Sequence, residues 1–323
     1  MFVLGMDIGY SNLKLAMGET GNGPTVSLYP AGAAPIDRLP ESIGKQEDAL
    51  RVSVDGGIWA ACVNPGKFAT WNRALHQDYV QTASYRALFH AALLLSERDT
   101  VDLLVTGLPV SQWLERSRRD ALGERLAGTH RITPRREVEV SAVRVVPQPI
   151  GGYLDLLWSS LAVSILEEGR VLVIDPGFFS VDWVLVEEGD IRRSSSGTSL
   201  EAMSVLLEQA SRLMADEHGG TAPVERLEEA LRMQRDHVLL FGRQVEISPY
   251  LQQAAERVAP VALEALRQSL RKESGSVDAV LLTGGGAALY EPIAKSLFPS
   301  NPIFVPEQPA LANARGFYYF GSE

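Results

Sequence analysis

The chain has 323 residues, 46% hydrophobic and 22% charged, which is the balance of a folded globular protein and long for one core, so two domains are expected. Its 30 Lys and Arg against 40 Asp and Glu give a net charge of -10, a surface that repels a phosphate backbone and argues against direct nucleic-acid binding. The single cysteine, Cys62, rules out an internal disulfide, no stretch reaches the length of a membrane span, and Asp7 interrupts an N-terminus without a basic head, so a cytoplasmic protein is expected.

Along the chain, residues 1–8 form an apolar run that predicts a buried strand, and 12–18 predict a second strand returning after a tight turn around Gly9. The Pro- and Gly-rich stretch 24–63 carries short β-prone pieces at 50–54 and 58–63 and predicts a small irregular sub-lobe. Apolar residues at helical intervals (Tyr85, Leu88, Phe89, Ala92, Leu95) predict a helix over 79–95, followed by a buried strand at 101–106. A helix at 113–127, a strand at 137–146 and a helix at 150–166 complete the first half. The second half opens in the same way, with a buried strand at 171–175, a return strand at 181–187 and a helix at 199–214. Mostly helical sequence follows at 224–245 and 249–270, the latter kinked at Pro260, and a last buried strand at 277–283 runs into Gly284, Gly285 and Gly286. Alternating strands and helices predict α/β layers.

The chemistry is concentrated at the two strand–turn–strand units. Val3-Leu4-Gly5-Met6-Asp7-Ile8-Gly9-Tyr10-Ser11-Asn12-Leu13-Lys14 and Leu172-Val173-Ile174-Asp175-Pro176-Gly177-Phe178-Phe179-Ser180-Val181-Asp182 share a buried strand, Asp-x-Gly, an aromatic, and a small polar residue that starts the next strand. A carboxylate at a strand end can hold the waters of Mg²⁺, a metal that keeps much of its hydration shell. The glycines let backbone N–H groups approach phosphate oxygens, and Lys14 supplies a positive charge suited to a β- or γ-phosphate. Either Asp-x-Gly alone could be an ordinary turn, but a matched pair, one opening each half, predicts paired phosphate loops. Within Pro147-Gln148-Pro149-Ile150-Gly151-Gly152, the Gln148 amide can orient an attacking water without keeping its proton; capping of a Pro-rich turn is the alternative. The run Leu281-Leu282-Thr283-Gly284-Gly285-Gly286-Ala287 offers flat access to a base or ribose, as any sterically open turn would. His76, His90, His130, His218 and His237 lack ligand spacing, and Trp71, Trp113, Trp158 and Trp183 are expected in packing.

The order of hairpin, Pro-Gln-Pro connector, hairpin and glycine turn resembles the actin, sugar kinase and heat-shock chaperone superfamily over essentially the whole chain. Thr106-Gly107-Leu108-Pro109-Val110-Ser111 and Ala312-Asn313-Ala314-Arg315-Gly316-Phe317-Tyr318 look like the ParM-type actin-like ATPases that segregate plasmids. The resemblance implies duplicated ribonuclease H-like lobes with a nucleotide cleft between them. The first would comprise 1–150 with 306–323 and a sub-lobe at about 24–75; the second would comprise 151–305 with a helical sub-lobe at about 200–275. It further implies ATP or ADP with Mg²⁺ held through water by Asp7 and Asp175. Ser11, Asn12, Lys14 and Ser180, with Gly9 and Gly177, would lie at the phosphates, and Gly284, Gly285 and Gly286 at adenosine. Many bacterial relatives carry an acidic residue where Gln148 stands, whereas eukaryotic actin has glutamine.

The expected function is an ATP hydrolase that polymerises into nucleotide-dependent filaments for DNA segregation, reaching its cargo through a DNA-binding adaptor. A heterologous contact that does not close on itself gives such a filament. A small-molecule kinase of the same superfamily would need an acid to deprotonate a substrate hydroxyl, and the connector offers Gln148 instead. A non-polymerising nucleotide switch would differ only in its surface.

Overall fold

The computed structural model describes residues 1–40, 49–68, 78–159, 163–271 and 275–323. The chain divides into two compact units, Met1–Ser159 with Leu311–Glu323, and Ser160–Ala310. Trp71 and His76 lie outside the described residues, as do the residues joining the expected sub-lobe to 79.

The first unit contains β1 (Phe2–Ile8), β2 (Asn12–Glu19), β3 (Thr25–Pro30), β4 (Gly32–Pro35), β5 (Leu50–Val54), β6 (Gly57–Val63), α1 (Ala83–Leu95), β7 (Thr100–Val101) and β8 (Leu103–Leu108). It continues with α2 (Val110–Leu114), α3 (Arg116–Leu126), β9 (Gly128–Thr133), β10 (Arg136–Val140), β11 (Val143–Pro147) and α4 (Gln148–Ser159). The second unit holds α5 (Val163–Glu168), β12 (Arg170–Pro176), β13 (Val181–Glu187), β14 (Asp190–Ser199), α6 (Met203–His218), α7 (Val224–Arg232), β15 (His237–Leu240) and β16 (Arg243–Glu246). After α8 (Ser248–Leu270), β17 (Ala279–Leu282), α9 (Ala287–Leu297) and β18 (Ile303–Phe304), the chain ends in α10 (Pro309–Ser322), most of which belongs to the first unit.

Each unit is built on the same five-stranded sheet, β3-β2-β1-β8-β11 in the first and β14-β13-β12-β17-β18 in the second. In both, the first strand pairs antiparallel with its hairpin partner and parallel with the strand on its other side. β1 and β12 are therefore central and, apart from Asp7, Arg170 and Asp175, apolar, because both faces are covered. The first unit adds two three-stranded sheets, β4-β6-β5 and β7-β10-β9.

The pleat decides which residues meet which helices. Leu4, Met6 and Ile8 of β1, with Leu13 and Leu15 of β2, join the core that includes Leu88 and Phe89 of α1. Val3 and Ala16, on the other face, pack on Ala314 and Tyr318 of α10, and Leu103 and Val105 pack on Phe317. A Cβ on Gly5 would strike the backbone of α10, so the glycine sets how closely that helix lies on the strand. In the second unit Leu172, Ile174, Val181, Trp183 and Leu185 share a core with α6, α8 and α9.

Five expectations are corrected. The single strand at 137–146 is two, β10 and β11, which belong to different sheets. The helix at 199–214 starts only at Met203, because 190–199 is the edge strand β14, rich in Ser and Arg and without an apolar run to mark it. The stretch 224–245 is helical only to Arg232; β15 and β16 then form a hairpin whose tip, Phe241 and Gly242 at φ 47 and 75, has the two positive values of a type I′ turn. β3 pairs with β2 in the main sheet, so the small sheet starts at Gly32 rather than near 24. Helix α8 runs through Pro260 as one element. Trp183 is buried with its indole N–H on Ser195 and Ser269, whereas Trp158, expected in packing, is 58% exposed and stacks on Tyr319. Among the described residues no helix is long and apolar enough to cross a membrane.

Candidate functional site

Asp7 stands one residue before the end of β1, on the face covered by α10, and is 1% exposed. Its partner across the hairpin is Lys14, whose Nζ donates to Asp7 Oδ2 at 2.8 Å. The other carboxylate oxygen, Oδ1, accepts from Gln148 Nε2 at 3.0 Å. A carboxylate only accepts, so this bond fixes the amide: its N–H₂ end is on Asp7 and its carbonyl oxygen points the other way. Gln148 is the first residue of α4, and Gly107 at the end of β8 makes room for it, since a Cβ there would lie 2.7 Å from Gln148 Cγ. Asp7, Lys14 and Gln148, which are distant or separate in sequence, are thus one bonded cluster in the first unit.

The turn itself is closed by Gly9 N–H donating to the carbonyl of Asn12 at 3.0 Å. The glycine therefore shapes the loop with its N–H rather than offering that N–H to a ligand. Ser11 accepts from Ala31 N–H through its carbonyl at 2.9 Å and, through its hydroxyl, from Asn12 Nδ2 at 3.1 Å. Tyr10 stacks on Tyr79 with ring centroids 4.4 Å apart, which anchors the turn's aromatic to the α1 side.

In the second unit, Asp175 takes the place of Asp7 and is 6% exposed. Gly177 N–H donates to Ser180 O at 2.8 Å, and a Cβ on Gly177 would meet that same oxygen, so the tight turn needs glycine. The carbonyls of Gly177 and Phe178 accept from Met203 and Ser204 N–H, which satisfies the open N-terminus of α6 on the turn. Across from Asp175, in the position of Lys14, stands Asp182. Its carboxylate accepts from Ser180 Oγ and Thr198 Oγ1, each at 2.6 Å. The Ser180 hydroxyl proton is thereby committed to Asp182.

Gly284, at φ +77, brings the glycine run against this strand: a Cβ there would collide with the Asp175 carboxylate. Gly286 N–H donates to Pro176 O at 2.9 Å, and Gly285 faces open space. The three glycines and Asp175 therefore adjoin one another within the second unit.

Three further residues of the first unit, to which the sequence alone assigns no role, support the cluster. Asn313 Oδ1 accepts from Gly152 N–H of α4 at 3.1 Å. Arg315 donates from Nε and Nη2 to the two oxygens of Asp155 at 2.7 and 2.6 Å. Burial holds the Asp155 carboxyl above its usual range, with Arg315 pulling the other way. The signal that could have found them is the heptad-like stripe Gln148, Gly151, Gly152 and Asp155 on α4, which has the spacing of one helix face.

A model of the N-terminal domain of actin-like proteins matches residues 5–151, and a model of the C-terminal domain of the archaeal MreB-like actin homologue matches 173–295. No curated protein matches in sequence. Among solved structures, the chain is similar to an archaeal actin homologue, Ta0583, at TM-score 0.76 and 22% identity, covering 99% of both chains. The same protein in complex with ADP matches at TM-score 0.75 and 23% identity, over 98% of both chains. A ParM from a 15-stranded filament of Clostridium botulinum matches at TM-score 0.71 and 17% identity, over 99% of this chain and 98% of that one.

Proposed function

The chain belongs to the actin superfamily, and from that premise we propose that it is a Mg²⁺-dependent ATPase that assembles into nucleotide-dependent filaments and moves DNA through an adaptor. The observation that carries this is the clustered Asp7, Lys14 and Gln148, in which an amide with a fixed outward carbonyl sits beside a carboxylate already balanced by a lysine. The similarity to an ADP complex and to a filament supports both parts of the reading.

The donor set suits hydrated Mg²⁺. Asp7 already accepts from two N–H donors, so it would reach a metal through water rather than by giving up an oxygen, and Asp175 is the corresponding carboxylate of the second hairpin. When bound, the ion would neutralise charge on the β- and γ-phosphates. The chain's own residues do the rest. Lys14 would offset phosphate charge, and in each unit the hairpin turn, 9–12 with Ser11 and Asn12 in the first and 177–180 with Ser180 in the second, is the segment that would meet phosphate oxygens. Gly284, Gly285 and Gly286 leave room for the adenosine. Gln148 accepts a hydrogen bond from the attacking water through its carbonyl oxygen and so holds that water in line. An amide cannot keep a proton, which favours hydrolysis over transfer to a substrate hydroxyl.

Time-resolved light scattering beside phosphate release tests this. With ATP, scattering should rise and then decay as phosphate appears, and Gln148→Ala should prolong the plateau because the ATP-bound state is depleted more slowly. Absence of nucleotide-dependent scattering over a broad range of protein and salt concentration would rule out the filament. ATP turnover that rises only with an added hydroxylated small molecule would identify a kinase instead.

A further inference from the structure

We propose that Asn313 and Arg315 of α10 are positioning residues for Gln148: together they set the rotation and height of α4, and so hold the Gln148 amide against Asp7. This rests on Gln148 being the residue that orients the attacking water.

Gln148, Gly151, Gly152 and Asp155 recur at intervals of three and four, so they form one stripe along α4. Every member of the stripe has a partner that fixes it. Gly151 lies so close to α10 that a Cβ would fall 2.6 Å from Asn313 Cα and 2.8 Å from Phe317 Cε1, and a Cβ on Gly316 would strike the backbone of Gly151 in return. The two helices touch backbone to backbone.

Such a crossing of glycines sets distance, and the buried Phe317 ring against Gly151 and Gly107 fills the space beside it, but an apolar ring contact has no directional preference of the kind a hydrogen bond has. The polar contacts supply what it lacks. Asn313 takes the N–H of Gly152, one turn beyond Gln148, and Arg315 holds Asp155, two turns beyond, through both carboxylate oxygens. A planar two-bond fork defines orientation as well as distance. With side chains about 5–6 Å from a helix axis, a turn of α4 by about 20° would carry the Gln148 amide through about 2 Å. That displacement exceeds the tolerance of its bond to Asp7, and a misplacement of about 1 Å at a reacting centre can cost about 100-fold. The Arg315 side chain is 16% exposed and that of Asp155 3%, so the fork is largely shielded from water. A buried ion pair is a poor way to gain stability alone, since removing two charges from water offsets much of their attraction. Its geometric definition is the property an apolar contact would not provide.

The test is a double-mutant cycle between Arg315→Met and Gln148→Ala, read as phosphate release at saturating ATP, with affinity for a fluorescent ADP analogue measured beside it. In the parent background Arg315→Met should slow release by about 10- to 100-fold and change ADP affinity by less than about threefold. In the Gln148→Ala background the same substitution should cost less than about twofold, because the residue it acts through is gone. Arg315→Lys, which keeps the charge but not the fork, should recover only part of the rate. Equal losses in both backgrounds, or a fall in ADP affinity that matches the fall in rate, would overturn the proposal. Should Arg315→Met not fold, the cycle is run with Asn313→Ala and Arg315→Lys. A parent without ATP hydrolysis would defeat the functional reading but not this one, because the side-chain amide of Gln148 can be followed directly by NMR. Its resonances, assigned by their loss in Gln148→Ala, should move toward free-glutamine positions in Arg315→Lys and Asn313→Ala. Unmoved resonances would show that α10 does not position Gln148.

Discussion

Gly316→Ala and Gly123→Ala are the same chemical change on two helices and should have opposite effects. On α10, a Cβ at Gly316 would strike the carbonyl of Gly151, with the carbonyl carbon at 2.6 Å and its oxygen nearer still, against about 3.5–4.0 Å for an ordinary carbon–carbon contact. The obstacle is main chain, which cannot swing aside, and the neighbours Ala314, Phe317 and Tyr318 are buried, so the helices must part by about 1–1.5 Å. Overpacking of this kind costs about 1–3 kcal/mol, and a backbone collision belongs at the upper end. Alanine returns about 1 kcal/mol of helix propensity, which leaves a net loss of about 2 kcal/mol. On α3, Gly123 has nothing within contact distance of its added Cβ, so only the favourable part remains, about 0.5–1 kcal/mol. At about 2–4 °C per kcal/mol for a unit of this size, calorimetry should show Gly316→Ala melting about 4–8 °C below the parent and Gly123→Ala slightly above it. A Gly316→Ala protein that melts at or above the parent would mean that α4 and α10 do not cross at backbone contact, and the account of Gln148 positioning would lose its geometry.

Asp7→Asn should lower ATP hydrolysis by about 100-fold at saturating nucleotide in a phosphate-release assay, since the near-isosteric amide keeps an acceptor for Lys14 but not the negative charge. Asp7→Ala is the coarser probe, because it leaves Lys14, 14% exposed, without that carboxylate and should also lower the melting temperature. His90 and His130 are both held below the usual imidazole value of 6.5, chiefly by burial, so the unfolded chain takes up their protons first; the stability they permit is complete above about pH 6.5 and falls as pH drops below it. Thermal unfolding at pH 8 and 5.5 should therefore show a smaller difference for His90→Gln than for the parent. Duplex DNA should show no appreciable binding by fluorescence anisotropy near physiological salt, because Arg116, Arg118 and Arg119 of the basic segment are already engaged with Asp120, with Glu115 and Asp78, and with the Trp113 ring.

What the sequence discloses follows from how local the determining physics is. The strands carrying Asp7 and Asp175 are buried on both faces, so they read as unbroken apolar runs, and their turns need glycine for reasons visible in a few residues. Edge strands such as β14 and β9 are half exposed and pair on few apolar residues, so neither hydrophobic runs nor clean alternation marks them. The β15–β16 hairpin follows a helix of matching polarity, and only Phe241-Gly242 signals the change. At the site, the individual residues could be nominated one by one, but not their partners. The bond from Gln148 to Asp7 spans 141 positions, and the Arg315 fork on Asp155 spans 160. Such pairs exist because α4 and α10 pack on one face of the sheet that contains β1 and β8, which is a property of topology rather than of any local pattern.

Register also shows what the duplication preserved and what it let go. Asp7 pairs with Lys14 and Asp175 with Asp182 at equivalent steps of two hairpins, and each turn is closed by a glycine N–H on the carbonyl three residues ahead. Backbone shape is shared because any deviation at Gly9 or Gly177 would open the turn. The facing side chain is under no such constraint, and there the charge inverts from lysine to aspartate. A lysine across from Asp7 draws one carboxylate oxygen inward and leaves the other to Gln148, so the first hairpin is organised around the amide. An aspartate across from Asp175 instead collects hydroxyls, from Ser180 on its own turn and Thr198 on the neighbouring strand, so the second hairpin is organised around orienting its own loop. Two copies of one backbone device have thus come to present different groups: an amide and an ammonium on the carboxylate of the first, two hydroxyls on the facing carboxylate of the second.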